Sequence, residues 1–211
     1  MKENNLLLPV VLITVLLCAI ACNDNKKENN APGKSKTDSA KTSEPIVESK
    51  KGPVINIGDT ISIKRMVLVM KDSAMTTARV SMKLGEIYGS KLAAIIKKNN
   101  LKITGAPIAW YKAQKAPYFF EAGLPVDKKP ATLPPGTYIK QIGADSIVVA
   151  HFYGPYDMLP QGYDALKEWL KDHKKKSKTG PYEIYIGDPV DSTGKLKDPY
   201  KVQTDVVWPW K

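Results

Sequence analysis

The stretch that most constrains the fold runs from residue 151 to residue 189, because three patterns follow one another in it. An apolar strand pattern ends at Gly154 and Pro155, since glycine favours turns and proline cannot donate to a β-ladder. Apolar side chains then recur at three- and four-residue steps over residues 159–173, which predicts an amphipathic helix. A two-residue alternation over residues 182–186 predicts a strand. The sequence therefore predicts a strand, a helix and a second strand in direct succession.

The same kind of unit is predicted earlier in the chain. A helical period extends from Val80 to Ile96, and Asn99 and Asn100 after it favour a C-cap. Strands are expected on both sides of each helix, over residues 61–70, 106–111, 118–126, 138–142, 146–153 and 202–208.

An internal duplication accounts for this repetition. The apolar triad at residues 92, 95 and 96 matches the triad at residues 166, 169 and 170, and Glu121 and Asp205 each precede a proline by four residues. We therefore predict an α+β fold made of duplicated strand-helix-strand-strand modules, with pseudo-two-fold symmetry and two long helices packed on an antiparallel sheet. The two halves are expected over residues 59–130 and 136–211.

The N-terminal segment predicts export and lipid attachment. Residues 6–21 are apolar but short for a membrane span, which is typical of a secretory signal peptide. The sequence Ala19-Ile20-Ala21-Cys22 resembles the lipobox of bacterial lipoproteins, in which cleavage leaves the cysteine for acylation. An uncleaved anchor is the alternative. The expected organisation is a signal peptide at 1–21, a lipidated Cys22 with a disordered tether at 22–52, and a folded domain at 53–211.

Charge and cysteine content exclude some classes of function. The net charge is +11, but the lysines are scattered and the only arginines are Arg65 and Arg79. A nucleic-acid surface would cluster such residues with exposed aromatics, so we expect no nucleic-acid partner. The only cysteines, Cys18 and Cys22, lie in the N-terminal segment, and His151 and His173 fall in different elements. We therefore expect no disulfide, metal or cofactor in the folded domain.

Four motifs between residues 153 and 209 occur in order with compatible spacing. They are Tyr153-Gly154-Pro155-Tyr156, Tyr163-Asp164-Ala165-Leu166-x-x-Trp169-Leu170, Gly180-Pro181-x-Glu183-Ile184-Tyr185 with Asp188-Pro189, and Thr204-Asp205-Val206-x-x-Pro209. Together they resemble the gyrase-inhibitor-like (GyrI-like) effector-binding family, a small-molecule domain also found in some multidrug-sensing transcription regulators. The resemblance implies the duplicated fold and binding of a small organic molecule. A distant similarity in architecture to haem-binding SOUL-type proteins leaves His151 as an alternative haem ligand.

Two acids within apolar strands are candidate ligand-binding residues. Glu121 and Asp205 lie among apolar neighbours, where an ionised carboxylate is costly unless a cation or a hydrogen-bond donor meets it. The resemblance implies that an acid in the last strand meets the ligand at the base of an aromatic pocket, and Asp205 occupies that position, where the family usually has glutamate. Neutralisation of Glu121 by backbone amides or by a lysine is the alternative.

Aromatic residues near these strands are candidate pocket walls, namely Trp110, Tyr118, Phe120, Tyr153, Tyr156 and Trp208. Rings above an acid attract flat or cationic organic molecules. Packing in the core is the alternative for about half of the aromatic side chains.

These patterns favour a membrane-anchored binding domain for a small organic molecule, located in the cell envelope and facing the periplasm or the cell surface. No catalytic residue is assigned, since the folded domain has no cysteine and no Gly-x-Ser-x-Gly motif. Hydrolysis of a reactive small molecule by the acids and aromatics of the same cleft is a second hypothesis, because some members of the resembled family are hydrolases. A structural or partner-binding lipoprotein is the third.

Overall fold

The computed structural model describes residues 51–211, which build one eight-stranded antiparallel sheet in the order β1-β6-β8-β7-β3-β4-β2-β5. Its strands are β1 (Val54–Ile61), β2 (Arg65–Ala74), β3 (Ile108–Tyr111), β4 (Tyr118–Val126), β5 (Thr137–Ile142), β6 (Ser146–Tyr153), β7 (Tyr182–Tyr185) and β8 (Gln203–Trp210). With two long helices on the sheet, this confirms the predicted α+β class. The predicted signal peptide, Cys22 and all but the end of the tether lie outside the described residues.

The strand order divides into two matching halves that meet where β3 pairs with β7. Each half contributes two strands, a helix and two further strands, so the predicted strand-helix-strand-strand module is preceded by one additional strand in each half. The first strand of each half pairs with the other half, since β1 lies beside β6 and β5 lies beside β2. The register is equivalent as well, because Lys71 faces Glu121 across β2 and β4, and His151 faces Asp205 across β6 and β8.

The first helix is continuous and consists of three segments: α1 (Thr77–Glu86), a π-helical segment (Ile87–Leu92) and α2 (Ala93–Lys98). It begins where the side chain of Thr76 accepts a hydrogen bond from the Arg79 amide at 3.2 Å. The other long helix is α3 (Pro160–Asp172), which follows a short 3₁₀ turn over Tyr156–Met158. A left-handed residue follows each helix, Asn100 with φ 49° and Lys174 with φ 52°, which confirms the predicted asparagine stop.

Both long helices of the described residues lie on one side of the sheet, which we call the helix-bearing face. There the first helix packs on β2 and β4, and α3 packs on β6 and β8. The opposite, helix-free face carries an apolar cluster made of strand residues alone, including Val67, Ile108 and Val207. This cluster is tight, since a Cβ on Gly123 would lie 2.6 Å from Val67 Cγ1.

The apolar core of the described residues comes from residues 55–210, and residues 48–211 form one compact unit. This unit therefore contains a complete core, and we expect it to fold as an isolated fragment. Within the part of the chain that is described, no helix has the length and apolar character needed to cross a bilayer.

Candidate functional site

The eight residues predicted to bind ligand are divided between the two faces of the sheet. Four of them belong to the helix-free face, because they alternate along their strands with residues of the helix-bearing face: Glu121, Asp205, Trp110 and Tyr153. The other four lie on the helix-bearing side: Tyr118, Phe120, Tyr156 and Trp208. The expectation of one shared pocket is wrong, because consecutive residues of a strand, such as Phe120 and Glu121, point to opposite faces. Ligand binding by either group stays a prediction.

Glu121 has cationic partners within the domain. Lys140 Nζ donates to Glu121 Oε2 at 2.6 Å, and Lys71 Nζ lies 3.9 Å from Oε1. Burial raises the pKa of this carboxyl, but the Lys140 hydrogen bond and the lysine charges outweigh burial and hold the pKa below its usual value. Lys140 also lies 4.1 Å from the centroid of the Trp110 ring. The geometry therefore matches the lysine-paired alternative for Glu121.

Asp205 is also satisfied by its neighbours. Its Oδ1 accepts hydrogen bonds from His151 Nδ1 at 2.7 Å and from Gln203 Nε2 at 2.8 Å, while Tyr153 donates to Gln203 Oε1 at 2.7 Å. Strands β7 and β3 separate β8 from β4, so three strand spacings of about 4.8 Å lie between Asp205 and Glu121. The two acids do not form a common floor.

The buried acid on the helix-bearing face is Glu183 of β7. Glu183 is only 4% exposed to solvent. Tyr163 of α3 donates to Oε1 at 2.6 Å, and Tyr185 donates to Oε2 at 2.8 Å. Tyr111 lies 3.0 Å from the Tyr185 hydroxyl and, because that proton is already used, donates to it. Among residues 51–211, no Lys, Arg or His nitrogen lies within 4.0 Å of the Glu183 carboxylate.

This environment disfavours negative charge on Glu183. Burial raises its pKa above the ordinary value, although the hydrogen bonds from Tyr163 and Tyr185 act in the opposite direction. Burial and the charge of Glu183 also raise the pKa of Tyr185 well above its ordinary value. The tyrosines therefore stay protonated at neutral pH and act as donors. Within residues 51–211, no cationic side chain lies within 4.0 Å to neutralise Glu183.

Both halves of the fold supply aromatic side chains around Glu183. The helices pack over β2 and β4 in one half and over β6 and β8 in the other, which leaves β3 and β7 between them. From the first half, Tyr88 of the π-helical segment packs edge-on to Tyr185 with ring centroids 6.3 Å apart. Its hydroxyl donates to the Ile108 carbonyl at 2.9 Å. π-Helical turns within α-helices are frequent at functional sites, and this one places Tyr88 against the strand that carries Glu183.

We call this group the tyrosine cluster; its members are Tyr88, Tyr111, Tyr156, Tyr163 and Tyr185. Tyr156 forms its outer edge, because its residue is 48% exposed and its ring centroid lies 6.5 Å from that of Tyr185. A pocket of about 190 Å³ adjoins Tyr156; its lining residues are Gly154, Tyr156, Pro189, Leu196, Lys197, Pro199, Val202 and Thr204. The Tyr156 ring therefore contacts both the pocket and Tyr185.

Sequence reasoning did not select Glu183, although it lies in one of the motifs that carried the family resemblance. In the alternating pattern of residues 182–186, Glu183 and Tyr185 stood opposite Tyr182 and Ile184. The strand order places β7 in the middle of the sheet, so both of its edges are paired, and Glu183 lies on the face where Tyr163 of α3 reaches it. The available signal was an acid flanked by tyrosines in a strand next to a tyrosine-bearing helix. Within the described range, no group of three or more His, Cys, Asp or Glu side chains is placed to hold a metal ion.

Comparisons with known proteins agree with this architecture. A family model described as the GyrI-like small molecule binding domain matches residues 74–211. The crystal structure of the EcmrR C-terminal domain superposes with a TM-score of 0.60 at 16% identity, covering 75% of this chain and 98% of that one. A crystal structure described as a hydrolase from Listeria innocua gives 0.50 at 10% identity, with 74% and 91% covered.

The longer EcmrR chain, solved by cryo-EM in a complex with DNA, gives a TM-score of 0.60 at 19% identity. The match covers 75% of this chain but only 57% of that one, so this chain corresponds to little more than half of its length. At these identities the solved structures establish the common fold, and a comparison with curated proteins gave no match. With the family model matching residues 74–211, the chain belongs to the GyrI-like small molecule binding domain family.

Proposed function

We propose that this domain binds a flat, positively charged organic molecule through Glu183 and the tyrosine cluster. The observation that carries the proposal is the buried Glu183 carboxylate, which has tyrosine donors but no cationic partner among the described residues. A buried ionised carboxylate is costly without a counter-ion. A cationic ligand would supply that charge, and the surrounding ring faces would attract it through their quadrupoles.

We propose that such a ligand enters through the pocket beside Tyr156, the one member of the tyrosine cluster that lines it. Its volume of about 190 Å³ exceeds the roughly 150 Å³ of a cavity that holds benzene, so it accommodates a single ring system of a ligand. A larger dye reaches Glu183 only if the half-exposed Tyr156 ring moves aside. The proposal therefore includes displacement of Tyr156 on binding.

A thermal-shift comparison of two xanthene dyes tests the sign of the ligand charge on residues 48–211. Rhodamine 123 is a cation and fluorescein is an anion, while their ring systems have similar shape. We expect rhodamine 123 to raise the melting temperature, because a ligand that binds only the native state stabilises it, and fluorescein to leave the melting temperature unchanged. Equal shifts with both dyes, or a shift with fluorescein alone, would contradict a cation site.

Acid–base catalysis is a second candidate function, and the raised pKa of Glu183 favours it. A carboxyl group whose pKa is shifted toward neutrality can transfer protons, and the adjacent tyrosine hydroxyls could hold a water or a leaving group. Turnover of a reactive ester or strained-ring compound that disappears in Glu183→Gln would establish hydrolysis. Tight binding of rhodamine 123 with no turnover of any such compound would favour a binding protein.

The location of the domain is a separate part of the proposal. The lipobox-like sequence ending at Cys22 supports a lipoprotein held on an envelope membrane by its N-terminus. Labelling with radioactive palmitate tests it: the wild-type chain should incorporate label, and Cys22→Ala should not. Label retained by Cys22→Ala would overturn the assignment of this cysteine.

A further inference from the structure

Three of the four tryptophans in the chain lie together where α3 and β8 end. Trp169 of α3 and Trp210 of β8 have ring centroids 6.1 Å apart, and Trp208 donates through Nε1 to Ser177 Oγ at 2.9 Å. The segment after α3 is tied to the end of β8, because Lys176 and Lys211 exchange backbone hydrogen bonds of 3.1 and 2.9 Å. The three tryptophans are half-buried, so each is partly exposed at this end of the domain, whereas Trp210 Nε1 is buried with no hydrogen-bond partner among the described residues.

The same end carries a dense group of lysines, namely Lys171, Lys174, Lys175, Lys176, Lys178 and Lys211. We call these lysines with the three tryptophans the tryptophan–lysine surface. Lys178 forms an ion pair with Asp145. Within residues 51–211, no carboxylate oxygen lies within 4.0 Å of the side-chain nitrogen of Lys171, Lys174, Lys175 or Lys176. The surface therefore has positive charge that its own neighbours leave unpaired.

The matching end of the other half shows that the fold does not require this surface. The first helix also ends in lysines, Lys97 and Lys98, with Lys102 shortly after them. No tryptophan lies near that helix end in the sequence, and the corresponding strand β4 ends in valine. The aromatic group thus distinguishes one half from its duplicate.

We propose that the tryptophan–lysine surface docks on an anionic phospholipid bilayer. The negative surface potential of such a bilayer attracts lysines, and tryptophan favours the boundary between headgroups and acyl chains because its ring is apolar while its N–H is polar. Lysine is a compact charge on a flexible stem, which suits phosphates on a fluid surface. Charge complementarity and the clustered indole rings are the two observations that favour an anionic bilayer as the partner of this surface.

Nucleic acid fits the surface less well, because two of the ring faces that would stack on bases are already occupied. His173 stacks on Trp169 with centroids 4.1 Å apart and an interplanar angle of 17°. Lys175 Nζ lies 4.1 Å from the centroid of Trp210. Recognition of single strands depends on free aromatic faces and often on arginine, and this surface contains no arginine.

Vesicle binding by residues 48–211 tests the proposal without the N-terminal segment. The fragment carries Trp110→Phe, so that fluorescence reports only Trp169, Trp208 and Trp210. We expect binding to vesicles of phosphatidylcholine with phosphatidylserine, weakening with added salt, and no binding to pure phosphatidylcholine. Brominated acyl chains should quench the fluorescence of the bound protein, because the rings reach the acyl boundary.

A matched pair of triple variants provides the control. The first triple variant combines Lys171→Gln, Lys174→Gln and Lys176→Gln. It should bind anionic vesicles at least about tenfold more weakly than the wild type. The second triple variant combines Lys97→Gln, Lys98→Gln and Lys102→Gln, and so removes the same charge from the other half. Its affinity for anionic vesicles should change by less than about twofold. Equal losses in the two triples would overturn the proposal, as would equal binding to both lipids or absence of quenching.

Two alternative occupants give distinct outcomes in the same assay. Tighter binding to single-stranded DNA or to polyglutamate than to the anionic vesicles would also overturn the bilayer proposal. Because Glu183 is unchanged in every one of these proteins, dye binding by the tyrosine cluster is measured independently, and either proposal can fail alone.

Discussion

Replacing Glu183 with glutamine removes a carboxyl group that can ionise against a cation, while keeping the size of the side chain and one oxygen that accepts from a tyrosine. A monovalent cation about 4 Å from a carboxylate gains roughly 4 kcal/mol at an effective dielectric constant of 20. Desolvation of the ligand offsets part of that gain, so we expect Glu183→Gln to cost about 2–4 kcal/mol of binding free energy. This corresponds to a roughly 30- to 700-fold increase in Kd for an aromatic cation.

Isothermal titration of residues 48–211 with rhodamine 123 measures this change directly. The matched control is Glu121→Gln, which is the same chemical change at a carboxylate that Lys140 already neutralises at 2.6 Å on the other face. We expect the control to alter Kd by less than about threefold, because only a distant screened charge changes. Unfolding curves of both variants should confirm that each protein is native at the titration temperature.

The opposite pattern would refute the reasoning. Unchanged affinity in Glu183→Gln, together with lost affinity in the double variant Glu121→Gln and Asp205→Asn, would place the ligand on the helix-free face. The tyrosine cluster would then be core packing around a buried acid. The original assignment of Glu121 and Asp205 as ligand-binding residues would in that case be correct.

Three further predictions concern the energetics of the fold. The pKa of Glu183 is raised in the folded state, so the stability it contributes is present below the unfolded pKa of about 4.3 and is lost as pH rises through the folded pKa. The free energy of unfolding of the wild type minus that of Glu183→Gln should therefore fall with rising pH in denaturant titrations, and a pH-independent difference would contradict the raised pKa. Tyr163→Phe removes the 2.6 Å hydrogen bond to Glu183 and should lower the free energy of unfolding at neutral pH by about 1–3 kcal/mol in the same titrations; no change would mean that the carboxylate finds another donor. Gly123→Ala places a Cβ against Val67 and should cost about 1–3 kcal/mol, whereas Gly58→Ala, which meets open space, should cost much less; similar costs would mean that the helix-free face can relax.

The helices and most strands were predictable because burial imposes its period on the sequence locally. The run of apolar residues from Val80 to Ile96 contains enough turns to define a helical face, and Asn100 adopts the left-handed conformation that asparagine tolerates. Strand β1 (Val54–Ile61) was not predicted as a strand of its own, because a mostly exposed edge strand needs little apolar content. The π-helical turn around Tyr88 leaves the apolar period almost unchanged and was not visible in the pattern.

The candidate site depended on long-range pairing that local patterns do not contain. Glu121 and Asp205 were recognisable as acids among apolar neighbours, but their partners Lys140 and His151 come from other strands. Glu183 stood in a short alternating segment, and only the strand order places that segment between the helices. The duplication made the two equivalent acids prominent in the sequence, whereas Glu183 belongs to one half alone.

The most direct test of the central claim is a crystal structure of residues 48–211 with a bound aromatic cation such as rhodamine 123. We expect the cationic group of the dye to lie against the Glu183 carboxylate and its rings to lie among Tyr88, Tyr163 and Tyr185. Tyr156 should be displaced from its contact with Tyr185. Density for the dye on the helix-free face beside Glu121 or Asp205, with the tyrosine cluster unchanged, would contradict the account.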